Sequence, residues 1–176
     1  VQWSFDLLKP KEVRAITRAA VFAGDFSLQA AERVCAAEDV DSREVLDLLD
    51  SLVRKSLLSA MRTPADVRYR LLETIRQFCE EQLALNEDAD AVRRRHARFF
   101  ADDAARHFQL WRSPQQLVAY HWLDREMDNL RAAFRWAAEQ PDVGIAADIA
   151  SCLGDMARFR LHDEMRAWPG DIIDAA

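Results

Sequence analysis

The chain has 176 residues, half of them apolar, and its acidic residues exceed its basic residues by six. That length is sufficient for one compact domain or two small ones, and the negative balance excludes a general attraction for nucleic acid. No stretch approaches the roughly 20 apolar residues of a membrane helix, so we expect a cytoplasmic protein without membrane contact. Because the first residue is Val1 and not methionine, we also expect a segment of a longer protein.

Three short helices are predicted in the first third of the chain. The first can begin at Pro10 and be closed by Gly24, since proline favours the first helical turn and glycine the position after the last. Ser27 is predicted to cap the second helix. Asp41 and Glu44 form a capping-box pattern ahead of the third. The third helix carries one apolar stripe, formed by Val45, Leu48, Leu49, Leu52 and Val53.

A β-hairpin is predicted next, with a turn signal at residues 63–66 between two short strands. In the return strand Tyr69 and Leu71 alternate with Arg68 and Arg70, which is typical of a strand with one face in water. Immediately afterwards the apolar period becomes helical, so this strand passes almost directly into a helix. Three helices followed by a hairpin describe a winged helix.

Beyond Leu85 the strand signals stop, and amphipathic helices follow one another with breaks at Pro114 and Pro141. Consecutive helices with short breaks indicate an array of antiparallel helical hairpins of the tetratricopeptide (TPR-like) kind. The predicted fold class is therefore mainly α, with a winged-helix domain over residues 1–85 and a truncated helical-repeat segment over residues 86–176.

The sequence lacks the common signatures of catalysis and metal binding. His96 and His107 lie about three turns apart on one predicted helix and therefore cannot bind one metal ion together. The cysteines Cys35, Cys79 and Cys152 fall on apolar helix faces, which favours buried thiols over a disulfide framework. We expect a chain that is not an enzyme and holds no cofactor or metal of its own.

Five stretches resemble one bacterial family in their order and spacing: AVFAGDFSLQAAERVCA from Ala20, LLDSLVRKSLL from Leu48, RYRLLETIRQF from Arg68, VRRRHARFF from Val92 and EMDNLRAAFRWA from Glu126. This family comprises large signalling ATPases of the STAND type among LuxR-like and AfsR-like transcriptional regulators of actinobacteria, some with an adenylate cyclase domain. The resemblance implies a parent protein in which a nucleotide-binding core that takes ATP or ADP precedes the winged helix.

The resemblance also places Leu72 and Glu73 where related plant and animal ATPases have a motif that senses bound ADP. These two residues are the candidate cofactor contacts of the chain. Leu72 stands in the place of the histidine of that motif, which speaks against a direct phosphate contact. We favour the alternative that Glu73 is the N-cap of the following helix.

The outward face of the third helix is acidic, because three carboxylates lie opposite its apolar stripe, namely Glu44, Asp47 and Asp50. The basic residues Arg43, Arg54 and Lys55 are confined to its ends. A helix in a DNA groove would present such groups to phosphates, so the sequence favours packing on protein. Three arginines of the wing keep weak nonspecific DNA binding as an alternative, beside a solvated wing face: Arg62, Arg68 and Arg70.

Two further features are candidate partner-binding sites. The first is a basic cluster of Arg93, Arg94, Arg95 and Arg98. These arginines spread around a helix, so we favour ion pairs with nearby carboxylates over a contact to the nucleotide core or to an acidic partner. The candidate carboxylates are Glu80, Glu81, Glu87 and Asp90. The second is Trp168, which packs in the core or, if exposed, anchors a partner protein.

The function that the resemblance implies is regulatory. The winged helix would pack on the nucleotide-binding core of the parent protein, and the helical repeats would receive an effector or partner protein. A DNA-binding winged-helix transcription factor is the alternative.

Overall fold

The structure is a computed structural model that describes residue 5 and residues 7–63, 66–157 and 168–170. Its helices are α1 (Pro10–Ala19), α2 (Leu28–Cys35), α3 (Val45–Arg54), α4 (Glu73–Ala84), α5 (Ala89–Trp111), α6 (Gln116–Ala138) and α7 (Gly144–Ala157). Its strands are β1 (Phe26–Ser27), β2 (Leu58–Arg62) and β3 (Val67–Leu71), which form an antiparallel sheet in the order β1-β3-β2. The predicted fold class is confirmed.

The chain divides into two compact units between His96 and Ala97, within α5. The first, here called the winged-helix unit, contains α1 to α4, the sheet and the first turns of α5. The second, the helical unit, contains the rest of α5 with α6 and α7. The domain boundary predicted at Leu85 lies ahead of this division and stays a prediction. None of the described helices is long and apolar enough to cross a bilayer.

The helix starts of the winged-helix unit follow local sequence signals. Pro10 is the first residue of α1, and the Ser27 hydroxyl accepts a hydrogen bond from the backbone N–H of Ala30, as predicted for a cap of α2. The helix α1 ends at Ala19, so the prediction that Gly24 closes it is wrong. Asp41 accepts from the N–H of Arg43 and thereby caps a short 3-10 helix ahead of α3.

Aromatic side chains form the centre of the winged-helix core. Phe22 stacks on Phe26 with ring centroids 4.2 Å apart, and the buried Tyr69 of β3 lies 6.1 Å from Phe26. His96 meets Phe22 edge-on at 5.3 Å and is 2% exposed. The predicted apolar stripe of α3 is buried at three of its five positions, Val45, Leu49 and Leu52, and half-buried at the other two.

A buried guanidinium joins three parts of this unit. Arg18, in the last turn of α1, donates from Nη1 to the carbonyl oxygen of Cys35 at 3.1 Å and to Asp39 at 2.9 Å. From Nε and Nη2 it donates to Asp88, which immediately precedes α5, at 3.0 and 2.8 Å. One side chain therefore holds together the end of α1, the end of α2 and the start of α5.

A second buried charge connects the start of α1 to the end of α3. The carboxylate of Glu12 is 3% exposed and accepts from the Lys9 backbone N–H at 2.7 Å, the Ser51 hydroxyl at 2.7 Å and the Lys55 ammonium at 2.6 Å. Burial alone raises the pKa of Glu12, but the hydrogen bonds from Lys55, Ser51 and Lys9 outweigh it and lower the pKa to about 2.

The helical unit is organised around Asp103 of α5. This buried carboxylate accepts a hydrogen bond from Trp122 Nε1 at 2.7 Å and pairs with Arg106. The ring of His107 stacks on Trp122, with centroids 4.2 Å apart. Burial raises the pKa of Asp103, but hydrogen bonds from His107 and Arg106 hold it below its usual value. The carboxylate thus orients side chains of both α5 and α6.

The cysteine thiols are free, and two of them are fully enclosed. Burial raises the pKa of Cys35 and that of Cys79 to about 12. Cys152 is half-buried, so the predicted burial is confirmed for two of the three cysteines.

Replacing Arg18 with glutamine should lower the free energy of unfolding by about 2 kcal/mol, because the substitution removes the hydrogen bonds of a buried guanidinium to the half-buried carboxylates of Asp39 and Asp88. Arg14 is a matched control, since it also pairs with Asp39 but its side chain is 48% exposed. Arg14→Gln should cost less than about 1 kcal/mol. Urea unfolding followed by circular dichroism measures both, and losses of equal size would contradict the assigned role of Arg18.

The burial of His96 should make the stability of the winged-helix unit depend on pH. Burial lowers the pKa of His96 from 6.5 to about 3. Between these values the unfolded chain binds a proton that the folded chain does not, so stability is complete above pH 6.5 and falls as the pH decreases. The loss is at most about 1.4 kcal/mol per pH unit.

The test compares unfolding free energies of the wild type and His96→Phe from neutral pH down to about pH 5, above the range in which ordinary carboxyls titrate. The wild-type curve should fall more steeply than that of the variant. Parallel curves would show that His96 does not carry the effect.

Candidate interaction surface of the winged helix

The outward face of α3 is acidic and partly apolar. Asp47 and Asp50 are exposed, and neither forms an ion pair with a described residue. Leu46, beside them, is 40% exposed. Glu44 is not available in the same way, because both of its carboxylate oxygens bind the ammonium group of Lys11, at 2.9 and 2.6 Å. Of the three carboxylates predicted on the outward face, Asp47 and Asp50 are therefore exposed and unpaired with described residues, whereas Glu44 is held by Lys11.

The three wing arginines predicted as possible DNA contacts have different surroundings. Arg68 is 4% exposed, and its guanidinium binds the side chain of Asp25 at 2.8 Å and the backbone carbonyl of Asp25 at 2.9 Å. The expectation that Arg68 lies on a wet strand face is wrong. Arg70 is exposed and lies 3.4 Å from the same carboxylate. Arg62 is exposed and forms no ion pair with a described residue.

Asp25 is a residue that sequence reasoning missed. It precedes β1, which pairs with β3 through Phe26 opposite Tyr69 and Ser27 opposite Arg68. This register brings the carboxylate to Arg68. The available signal was an acidic residue just before a short strand, but it has no meaning until the strand pairing is known.

The basic cluster of α5 is used mainly for internal contacts. Arg93 pairs with Asp90 at 3.4 Å, as predicted, and Arg98 pairs with Asp148 of α7 at 3.0 Å. Arg95 donates from Nε to the carbonyl oxygen of Val34 at 3.0 Å.

The second guanidinium nitrogen of Arg95 and the side chain of Arg94 lie in different surroundings. Among the described residues, buried Nη2 of Arg95 has no hydrogen-bond partner. Burial and the neighbouring Arg18 lower the pKa of Arg95. Arg94 is exposed. The structure thus brings Arg93, Arg95 and Arg98 to three separate acceptors.

The two residues at the position of the nucleotide-sensor motif, Leu72 and Glu73, form the start of α4. Leu72 is the N-cap residue of α4 and is 53% exposed. Glu73 is the first residue inside α4 and accepts from Arg76 at 2.8 and 3.0 Å and from Gln77 at 3.0 Å. The prediction that Glu73 is the N-cap is wrong by one residue. Its charge in the first turn still suits the helix dipole.

Trp168 lies in the core of the helical unit. It is 3% exposed, and its ring stacks on Phe134 of α6 with centroids 4.1 Å apart and planes 6° apart. The structure therefore places Trp168 in helix packing, the first of its two predicted roles, and not on an exposed surface where it could anchor a partner.

A cleft of about 430 Å³ opens in the winged-helix unit between α1 and the residues that connect α4 to α5. Arg14 and Arg18 line it, but both are already paired with carboxylates. Among the described residues, no group of histidine, cysteine and carboxylate side chains is arranged to hold a metal ion.

Comparison with known proteins agrees with this fold. Residues 8–84 match the family of the winged helix-turn-helix domain. The N-terminal part of the chain is therefore a domain of this class, with α3 at the position of its third helix and β2 and β3 as its wing.

The relatives are longer proteins of mycobacteria. Over 175 residues, 99% of its length, the chain is 37% identical to a protein of Mycobacterium tuberculosis (strain H37Rv) named "Putative HTH-type transcriptional regulator", and equally to a Mycobacterium bovis protein named in the same way. The chain spans 20% of each. Over 97 residues it is 38% identical to an uncharacterized protein of M. tuberculosis, of which it covers 25%. No solved structure matches the chain at a significant level.

Substitution of the two arginines of β3 should affect stability differently, because Arg68 is buried and Arg70 is exposed. Arg68→Met keeps the apolar stem but leaves Asp25 without its buried cation, and should lower the free energy of unfolding by about 2 to 3 kcal/mol. Arg70→Met, its neighbour on the exposed side, should change it by no more than about 0.5 kcal/mol. Thermal and urea unfolding of the two variants measure this, and similar losses would contradict the burial difference.

Proposed function

We propose that the chain is a non-catalytic regulatory and protein-interaction segment of a multidomain, ATP-dependent transcriptional regulator. In this proposal the parent protein is a cytoplasmic STAND-type ATPase of the LuxR-like or AfsR-like kind. The winged-helix unit packs on the nucleotide-binding core of that parent, which binds ATP or ADP, and the helical unit receives an effector or partner protein.

The observation that carries the proposal is the surface of α3. A helix that enters the DNA groove presents cations and amides to phosphates and base edges. Here the exposed positions of α3 are Leu46, Asp47, Asp50 and, in the last turn, Arg54. The two carboxylates outnumber the one cation, and together with Leu46 they suit a protein surface that offers cations and apolar contacts. The share of the relatives that the chain covers further supports a segment that works together with other domains.

Control of an ATPase core also requires contacts that differ between two states of the parent protein. The exposed α3 face fits such a role, because it is not committed to the fold of the winged-helix unit itself. Glu44, in contrast, is committed through Lys11.

DNA binding by the winged helix is the second candidate. Its support is that the mycobacterial relatives are named as HTH-type transcriptional regulators and that Arg62 and Arg70 of the wing are exposed cations. With Arg68 held by Asp25, this arrangement leaves two wing cations for phosphates, and it supports weak and nonspecific contact at most.

Titration of the 176-residue chain with duplex DNA distinguishes the candidates. We expect no submicromolar binding at about 50 mM salt and a log-log salt slope no steeper than about −2, because only two wing cations face solvent. Arg62→Ala combined with Arg70→Ala should abolish any residual binding. Lys9→Ala with Arg33→Ala, two exposed cations outside the wing, is the matched control. Tight binding with a steep slope would favour the second candidate.

The residues that precede Val1 in the parent polypeptide test the other part of the proposal. A phosphate-binding loop of the form G-x-x-x-x-G-K-[ST] encoded upstream supports a nucleotide-binding core. A start codon at this position, with no such loop, would contradict it.

A further inference from the structure

The two edge strands of the sheet in the winged-helix unit differ in length. The edge strand β1 has two residues and passes directly into α2. The other edge strand, β2, has five residues, and all five pair with β3 in an unbroken register from Leu58 opposite Leu71 to Arg62 opposite Val67. Only β2 therefore offers a straight edge of useful length.

The register fixes which backbone groups of β2 point away from β3. Thr63 donates its N–H to the carbonyl oxygen of Asp66 at 2.8 Å, so this pair is hydrogen-bonded across the hairpin. Because such pairs alternate along an antiparallel ladder, Met61 and Ser59 also bond to β3. The N–H and C=O groups of Leu58, Ala60 and Arg62 consequently face outward. No backbone hydrogen bond from another described element reaches these three residues. Leu58 is only 3% exposed, so the accessible outward groups are those of Ala60 and Arg62.

The side chains of β2 do not protect this edge. Natural sheets blunt their edges with lysine, proline, bulges or short strands. Ser59, Ala60 and Met61 are exposed and uncharged, and Met61 is 58% exposed. Arg62 provides the only charge of the strand, at its end next to the turn.

We propose that the β2 edge is a docking site for an extended segment of a partner polypeptide, which adds to the sheet as a fourth strand. Outward backbone groups at every second residue are satisfied by another extended main chain, which supplies donors and acceptors at the same spacing. The segment carries a carboxylate opposite Arg62 and an apolar side chain beside Met61.

Two other occupants fit this edge less well. A second copy of the chain could pair its β2 about Ala60, but a contact limited to five residues on each side falls below the area of a stable dimer. Duplex DNA supplies phosphate acceptors but no N–H donors for the outward carbonyls. The inference does not depend on a contact between the winged helix and a nucleotide-binding core.

The test uses the 176-residue chain and a synthetic probe. The probe is an acetylated and amidated peptide of alternating valine and threonine, long enough to span β2, with a glutamate at each end. On titration, amide exchange at Ala60 and Arg62 should slow at least about tenfold, while Ser59 and Met61, already bonded to β3, should change little. The same peptide with N-methyl groups on alternate residues should not bind.

Two protein variants address the edge directly. Ala60→Pro removes the central outward N–H without touching a bond to β3, and should weaken peptide binding at least about tenfold. Ala60→Thr keeps the N–H and serves as its matched control. Arg62→Glu should weaken binding of the glutamate peptide and strengthen binding of a lysine version, which keeps the test valid if the proline variant fails to fold.

Slowed exchange that alternates along β2, together with loss of binding on N-methylation, supports the proposal. It is overturned if the peptide does not bind at about millimolar concentration. It is likewise overturned if the N-methylated probe binds equally well, or if exchange at Ala60 slows only with protein concentration or with added duplex DNA.

Discussion

The winged-helix unit depends on the hydrogen bonds of one buried guanidinium. Arg18 leaves α1 and reaches the last carbonyl of α2, the carboxylate of Asp39 and the carboxylate of Asp88. A planar group with five donors can satisfy several acceptors in fixed directions at once, which an ammonium group cannot. The carboxylates more than offset the effect of burial on Arg18, so its pKa is raised. The fold thus positions α1, α2 and the start of α5 by electrostatics as well as by apolar packing.

The end of α2 receives help from two arginines. The last carbonyl groups of a helix have no partner within the helix and carry its negative dipole end. Here Arg95 binds the carbonyl oxygen of Val34, and Arg18 binds that of Cys35. Since Arg95 belongs to α5, the helix that follows the winged-helix motif completes the hydrogen bonding inside it. This explains why the compact unit extends past α4 to His96.

Local signals in the sequence predicted local structure well. Pro10, Ser27 and the change of period after β3 each gave a correct element, because each acts within a few residues of its own position. The errors came from contacts between distant residues. The wet-face interpretation of Arg68 failed because its partner Asp25 lies far away in sequence and meets it only through strand pairing. Glu44 likewise pairs with a residue that is distant in sequence, Lys11 of α1. At the candidate surface, the sequence predicted that the outward face of α3 carries carboxylates. It could not predict which of them are paired with other side chains, because that depends on contacts between distant residues.

The enclosed thiols of Cys35 and Cys79 have a chemical consequence. With a pKa of about 12, only about one molecule in 10⁵ carries the thiolate of either residue at neutral pH. Peroxides and alkylating reagents attack that anion, and both sulfur atoms are also shielded by the surrounding core. Peroxides should therefore not oxidise Cys35 and Cys79 to sulfenic acid while the winged-helix unit is folded. A maleimide should label these two thiols only after the unit unfolds.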